Sequence, residues 1–207
     1  EELLRTTGVM VERYTAAAGD RHDRYPEIRL ADAVAFEPFA DASSGYWVAA
    51  ADWAKYTGVS GGIGDNLYGP NGTLNRAQAV TFLWRLIGSP APSDPSGFSD
   101  VPDGEFYTDA VAWAKETGLT TGDGGDNTFG PGGVVTRGVM ATVLWRFAGE
   151  PAGSLGTFPD VPDGAFYEEA VGWMADNGIT TGTTPTTFSP NALVNRCLLY
   201  TSDAADD

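Results

Sequence analysis

The sequence predicts an all-α fold of tandem helix–loop–helix repeats, on three observations. One block recurs three times, beginning at Phe39, Phe98 and Phe158, almost without gaps. Within each block apolar residues recur at spacings of three and four, the pattern of one helical face. The segments between these stripes are turn chemistry, and every strand-like run is short and bounded by loops.

Composition sets the limits. Of the 207 residues, 42% are hydrophobic and 12% aromatic, enough for a core and too much for a disordered polymer. No apolar run approaches the roughly 20 residues of a membrane span. A net charge of −16 argues against broad attraction to nucleic acid or anionic lipid, so an anionic partner needs local basic pockets. Cys197 is the only cysteine, which excludes an internal disulfide and a zinc cluster, and His22 is read as a solvated linker residue. No metal or cofactor is expected.

Trp53, Trp113 and Trp173 correspond across the blocks. So do Gly58, Gly118 and Gly178, then Gly62, Gly122 and Gly182, then Pro70, Pro131 and Pro190. In the second block the first helix is expected over roughly 106–117, with Phe106, Ala110, Trp113 and Ala114 on one face. Gly118 follows, where a left-handed C-terminal cap belongs. The next stretch, "LTTGDGGDNTFGPGG", is a loop, which Phe129 and its equivalents Tyr68 and Phe188 are expected to plug into the core. Its "GDGGDN" lacks the ligand spacing of an EF-hand and the Gly-Lys-Ser/Thr ending of a phosphate loop, so a turn is the reading.

The second helix begins at Thr136, whose hydroxyl can cap free backbone N–H groups, and Asn75 and Asn195 can do the same. Met140, Val143, Leu144 and Phe147 form its buried stripe, matched by Ala79, Phe82, Leu83 and Leu86. Gly149 and Pro151 stop it. The three recurring tryptophans are read as core, with a sugar-stacking platform as the alternative. Trp47, in a Gly-Tyr-Trp turn, is expected to be exposed and to belong to a carbohydrate-binding face. Asp100, Asp103, Asp160 and Asp163 read as turn residues before a helix.

Beyond Ala31 the basic residues are Lys55, Arg76, Arg85, Lys115, Arg137, Arg146 and Arg196, and all fall at a few repeat positions. Lys55, Lys115, Arg85 and Arg146 stand near helix C-termini, where the dipole favours a cation. Arg76, Arg137 and Arg196 stand at the opposite end, where it does not. Two tasks would account for them. One is an inter-repeat salt bridge to a carboxylate; the other is capture of a ligand anion, with the guanidinium fork beside free helix N-terminal N–H groups.

The block "FSDVPDGEFYTDAVAWAKETGLTTGDGGDNTFGPGGVVTR" and its two counterparts resemble bacterial S-layer homology modules, over about 39–207. The shared pattern is Phe-x-Asp-Val, an aromatic before an Ala-Val helix, a Gly-x-x-x-Gly spacing, Phe-x-Pro, and Thr-Arg opening the last helix. The resemblance implies a pseudo-threefold helical spindle in a secreted protein held noncovalently at the bacterial cell wall. It implies an anionic secondary cell-wall polysaccharide as ligand, often pyruvylated, bound in grooves between modules, with other surface-layer proteins as further partners. The family's Thr-Arg maps onto Thr136-Arg137, Asn75-Arg76 and Asn195-Arg196. Where the family continues Ala-Glu, this chain has Ala77-Gln78, Gly138-Val139 and Cys197-Leu198.

The expected organisation is a partial helix of a preceding unit plus linker at 1–35, then repeats at 36–92, 93–152 and 153–207. The last is expected to be incomplete, because "CLLYTSDAADD" lacks the apolar stripe of a second helix. The chain begins without Met and reads as a fragment or processed product. The candidate carbohydrate-binding residues are Arg76, Arg137, Arg196, Asn75, Thr136, Asn195 and Trp47. No catalytic residue is expected, since the carboxylates recur in more than one unit and a catalytic site is normally asymmetric. The alternative reading is a helical scaffold for protein–protein interaction.

Overall fold

The computed structural model describes residues 37–45, 47–125 and 127–196. The expected helical remnant at 1–35, His22, Cys197 and the expected incomplete helix at 197–207 lie outside them. The described residues form α1 (Val48–Tyr56), α2 (Arg76–Leu86), α3 (Thr108–Glu116), α4 (Arg137–Phe147) and α5 (Glu168–Asp176), with no strand among them. The fold class is all-α. The helices are only nine or eleven residues long, so loops make up more of each unit than the periodicity alone suggests.

The ends of these helices follow local chemistry. The first helices end in a residue whose side chain donates to a last-turn carbonyl: Thr57 to Trp53 at 2.7 Å, Thr117 to Trp113 at 2.8 Å, Asn177 to Trp173 at 2.8 Å. This satisfies one of the carbonyls a helix C-terminus leaves open. Gly58, Gly118 and Gly178 follow at φ 74, 77 and 65°, where an L side chain is strained. At the second helices Asn75 Oδ1 accepts from Gln78 N at 2.8 Å, and the Gln78 side chain accepts from Asn75 N, closing a capping box. Thr136 caps Val139 N at 3.4 Å, but a valine cannot return the bond. The family's Glu thus falls at the position that closes the box.

No unit buries its apolar residues alone. Val80 and Leu83 of α2 enter the cluster formed by Phe98, Val111, Trp113 and Phe129 of the second unit. Ala141 of α4 likewise joins Phe158, Val161, Val171 and Phe188 of the third. A separate central cluster gathers Leu74, Val135 and Val194, one from each unit, with Phe82 and Met140. The two described second helices, α2 and α4, therefore face both the centre and the next unit. The expected stripe of α4 is split between clusters: Met140 is buried at the centre, the half-buried Val143 and Phe147 pack on the second unit's own cluster, and Leu144 touches both.

The plug reading holds, with Tyr68, Phe129 and Phe188 at most 1% exposed. The loop behind each plug turns so tightly that a Cβ on Gly122 would stand 2.6 Å from the Thr128 carbonyl oxygen. Trp113 and Trp173 are core and Trp53 is half-buried against the central cluster. Trp47 corrects its expectation. It is half-buried against Phe39, Ala42, Ala51 and Tyr68, because its indole folds back over the turn at Gly45.

The three units close on one another through backbone. Leu74 N donates to Val194 O at 2.8 Å, Val194 N to Val135 O at 2.9 Å, and Val135 N to Leu74 O at 3.0 Å, a complete ring. A second ring runs the other way, from Arg76 N to Gly133 O (2.8 Å), Arg137 N to Ala192 O (2.9 Å) and Arg196 N to Gly72 O (3.0 Å). Two of the joints are also connected by chain; the third, between units three and one, closes without it. There the plug is Tyr68, whose hydroxyl donates to Arg196 O at 3.0 Å, a bond that phenylalanine at 129 and 188 cannot make. Tyr68→Phe should destabilise the fold by about 0.5–1.5 kcal/mol, the net contribution of one hydrogen bond. An unchanged denaturation midpoint would contradict this role.

Candidate functional site

The three arginines of the sequence motif all lie at the joints. Each Nε donates to the carbonyl of the next unit's plug: Arg76 to Phe129 O at 2.7 Å, Arg137 to Phe188 O at 2.8 Å, Arg196 to Tyr68 O at 2.7 Å. The guanidinium carbon then stands 4.8, 4.6 and 5.1 Å from the centroid of that same plug ring. A guanidinium over an aromatic face gains from the ring quadrupole, and the carbonyl supplies the negative charge that the helix N-terminus lacks. This resolves why a cation tolerates that position. Its charged end is held by another unit.

Neither sequence alternative describes this geometry fully. The joint is made with carbonyls and rings, where the first reading supposed a carboxylate. The second supposed free helix N–H groups, yet Ala77 N donates to Pro131 O at 3.0 Å and Gly138 N to Pro190 O at 2.9 Å. Those amides are taken.

An aspartate in each unit fixes the loop that receives the arginine. Asp41 accepts from Tyr68 N and Gly69 N, Asp100 from Phe129 N and Gly130 N, and Asp160 from Phe188 N and Ser189 N, all at 2.7–2.8 Å. The sequence reading took Asp100 and Asp160 for turn residues. The signal for the larger role was the recurrence of Phe-x-Asp at a near-constant distance from the plug. Burial pushes the Asp41 and Asp160 carboxyls up, but the loop amides and the nearby guanidinium outweigh it, and both lie below their ordinary 3.8.

The other cations stay within their units. Lys115 donates to Ser96 O at 2.5 Å and sits 4.3 Å from the Phe98 centroid, and Lys55 sits 4.7 Å from that of Phe39. Arg85 and Arg146 reach the carbonyls of Val59 and Leu119, at 3.4 and 3.3 Å. All four lie in last helical turns, where the dipole favours them.

The joints differ in how much of the guanidinium they consume. Arg196 is 3% exposed, stacked between Tyr68 and Phe82, with a terminal nitrogen on Ser60 Oγ at 3.1 Å. It stands apart from the expectation of a ligand-facing arginine. Arg76 gives a terminal nitrogen to Gly122 O at 2.9 Å. Arg137 is half-buried, and among the described residues the bond from its Nε is the one hydrogen bond of its guanidinium. Burial lowers both of the latter from the ordinary arginine value, offset by Asp123 and Asp100 beside Arg76 and by Asp160 beside Arg137. Asn75 and Thr136 are spent on capping. Asn195 contributes a bridge to Thr73, and Trp47 lies away in the first unit's cluster.

Two outcomes test the joint. Arg76→Ala should cost about 1.5–3 kcal/mol, the range for a hydrogen bond to a charged group, and Arg76→Lys should recover only part, since lysine lacks the planar fork. A denaturation midpoint equal to that of the unaltered chain would contradict it. Because Asp41 and Asp160 are depressed in the fold, their contribution is present above the unfolded value and is lost as pH falls through the folded one. Stability measured by denaturant should therefore drop below about pH 4. In Asp160→Asn that acid-range slope should be shallower.

Comparison with known proteins follows the same three blocks. The S-layer homology domain family model matches residues 38–80, 97–141 and 157–196. An S-layer protein of Bacillus thuringiensis subsp. finitimus is 26% identical over 173 residues, 79% of this chain and 20% of that protein. A cellulosome-anchoring protein of Acetivibrio thermocellus is 26% identical over 157 residues, 66% of this chain and 35% of its own length. Exoglucanase XynX of the same species is 25% identical over 142 residues, 65% of this chain and 13% of the enzyme. The chain thus spans about a fifth of the length of the S-layer protein it matches. With more than half of its residues inside the three matched blocks, the chain belongs to the S-layer homology domain family.

Proposed function

We propose that this chain is a noncatalytic anchoring module that holds a larger protein at the bacterial cell surface by binding an anionic wall polysaccharide between its units. The relatives support anchoring: one is an S-layer protein and another is described as cellulosome-anchoring. The exoglucanase is matched over only 13% of its length, so its resemblance gives this chain no catalytic role. The ring of three joints supports the pseudo-threefold spindle. Pyruvate ketals on the polysaccharide are a fitting acidic group, since a guanidinium edge receives a carboxylate with two parallel hydrogen bonds. Neighbouring surface-layer proteins are proposed as further partners.

The observation that carries this reading is the recurrence of an arginine at the joint between units in an otherwise acidic chain. Arg76 and Arg137 are the proposed anion contacts, with Asn75 and Thr136 setting the helix starts from which they project. Arg196 and Asn195 hold the closing joint, and Trp47 supports the first unit.

Sedimentation with purified cell walls tests it. The chain should co-sediment with native walls and lose most of that binding once the acidic groups of the polysaccharide are removed. Equal binding to stripped walls would overturn the acidic-glycan reading. No binding to either would overturn anchoring.

A further inference from the structure

We infer that residues 6–20 lie across α1 as a helix, covering the first unit as α2 covers the second and α4 the third. The occupant is a segment of this same chain, and its seat does not depend on what the module binds. Three independent features point to it.

The first is a break in the repeat pattern. The backbone of α2 runs close against that of α3, and α4 against α5, whereas among the described residues no helix backbone runs as close to α1. Val80 and Leu83 of α2 thereby enter the cluster that holds Ala110, and Ala141 of α4 the cluster that holds Ala170. Ala50 is the counterpart of both, and among the described residues no such cluster holds it. By the repeat, its cover would come from the third unit, after Arg196. There, however, Asp203 falls where α2 has Leu83. A carboxylate at that position would be costly to bury.

The second is a sequence match. Residues 6–20 align without a gap on 136–150, the α4 segment. Gly8-Val9-Met10 repeats Gly138-Val139-Met140, and Ala18-Gly19 repeats Ala148-Gly149 at the same separation. In that register Met10 stands where Met140 is buried at the centre. Val11 and Tyr14 stand where Val80 and Leu83 of α2 enter the next unit's cluster. The positions that turn back to a helix's own unit, held by Val143 and Phe147 in α4, are Arg13 and Ala17 here. The apolar side is thus kept toward the centre and the following unit, the two sides that a cover for α1 requires.

The third is an acceptor left open on α1. After each described second helix the chain fastens to the end of the next first helix: Ser93 N donates to Glu116 Oε2 at 3.0 Å, and Ser154 N to Asp176 Oδ2 at 2.8 Å. The corresponding residue of α1 is Tyr56, which has no carboxylate. One turn earlier stands Asp52, where the other units have Ala112 and Gly172. Its Oδ1 is buried with no hydrogen-bond partner among the described residues. A buried carboxylate oxygen calls for a donor, and a chain leaving residues 6–20 across α1 brings backbone N–H groups to it. The stretch from Ala17 to Val48 is longer than those from Leu86 to Thr108 and from Phe147 to Glu168, so it can make the same crossing.

Site-specific photocrosslinking in the full chain tests the assignment. With Cys197→Ser removing the native thiol, Val11→Cys carries a benzophenone-maleimide probe, and mass spectrometry maps where it attaches. The adducts should fall within 48–56 of the same chain. Adducts that join two chains, or that fall only outside 48–56, overturn the assignment. Hydrogen exchange supplies the second readout. Val11→Asp should speed exchange of the α1 amides at least tenfold, while Arg13→Asp, on the other side of the segment, should leave them unchanged. Tyr200→Asp, at the position where α2 has Val80, should also leave them unchanged. Unaltered α1 exchange in Val11→Asp, or tenfold faster exchange in Tyr200→Asp, sinks the cover by residues 6–20.

Discussion

Everything in this molecule depends on a guanidinium placed over an aromatic plug with its Nε on that plug's carbonyl. The interaction does two things at once. It binds the start of one unit's second helix to the loop of the next, and it fills the electronegative side of that loop with the only kind of side chain that offers both a flat face and a fork of donors. Lysine could neutralise the carbonyl but could not stack and bond in the same plane. The aspartate clamps complete the device from the other side, fixing two loop amides so that the plug carbonyl and ring present themselves together. An acidic chain retains arginine here because the joint asks for geometry as much as for charge.

The helices are too short to be stable alone, since isolated segments below about 12–15 residues are marginal in water. Their stability comes from neighbours. Trp113 shares its buried cluster with Val80 and Leu83 from α2 of the preceding unit as well as with Phe147 of its own. Leu74, Val135 and Val194 share one buried cluster with Phe82 and Met140, so each unit helps to bury the others' residues. The arrangement differs from an open solenoid, in which each repeat meets only its sequence neighbours. Here Arg196 meets Tyr68 across 128 residues of chain, and the ends of the array are joined.

Much of this was legible in the sequence. The helix–loop–helix unit followed from the spacing of Ala110, Trp113 and Ala114, although Phe106, read as part of the same face, precedes α3 and is exposed; the caps followed from Thr136, Asn75 and Gly118, and the plug from the lone aromatic in a glycine-rich loop. The arginines were singled out correctly as exceptions to the dipole preference, but their partners were not visible. A carbonyl acceptor leaves no mark in a sequence, because every residue has one. Asp41, Asp100 and Asp160 were hidden for a related reason: Asp is common before helices, and only the fold brings it to amides about thirty residues on. Trp47 was misjudged because its neighbours in sequence are a turn, while its neighbours in space are Phe39 and Tyr68.

The central claim is that three joints close three units into one cooperative structure. Native-state hydrogen exchange at the amides of Leu74, Val135 and Val194 tests it most directly, since each amide bridges a different pair of units. The account predicts one shared opening free energy for all three, equal to that of global unfolding. Exchange of any one of them through a smaller opening, with the other two still protected, would show that the units unfold separately and would contradict the closed ring.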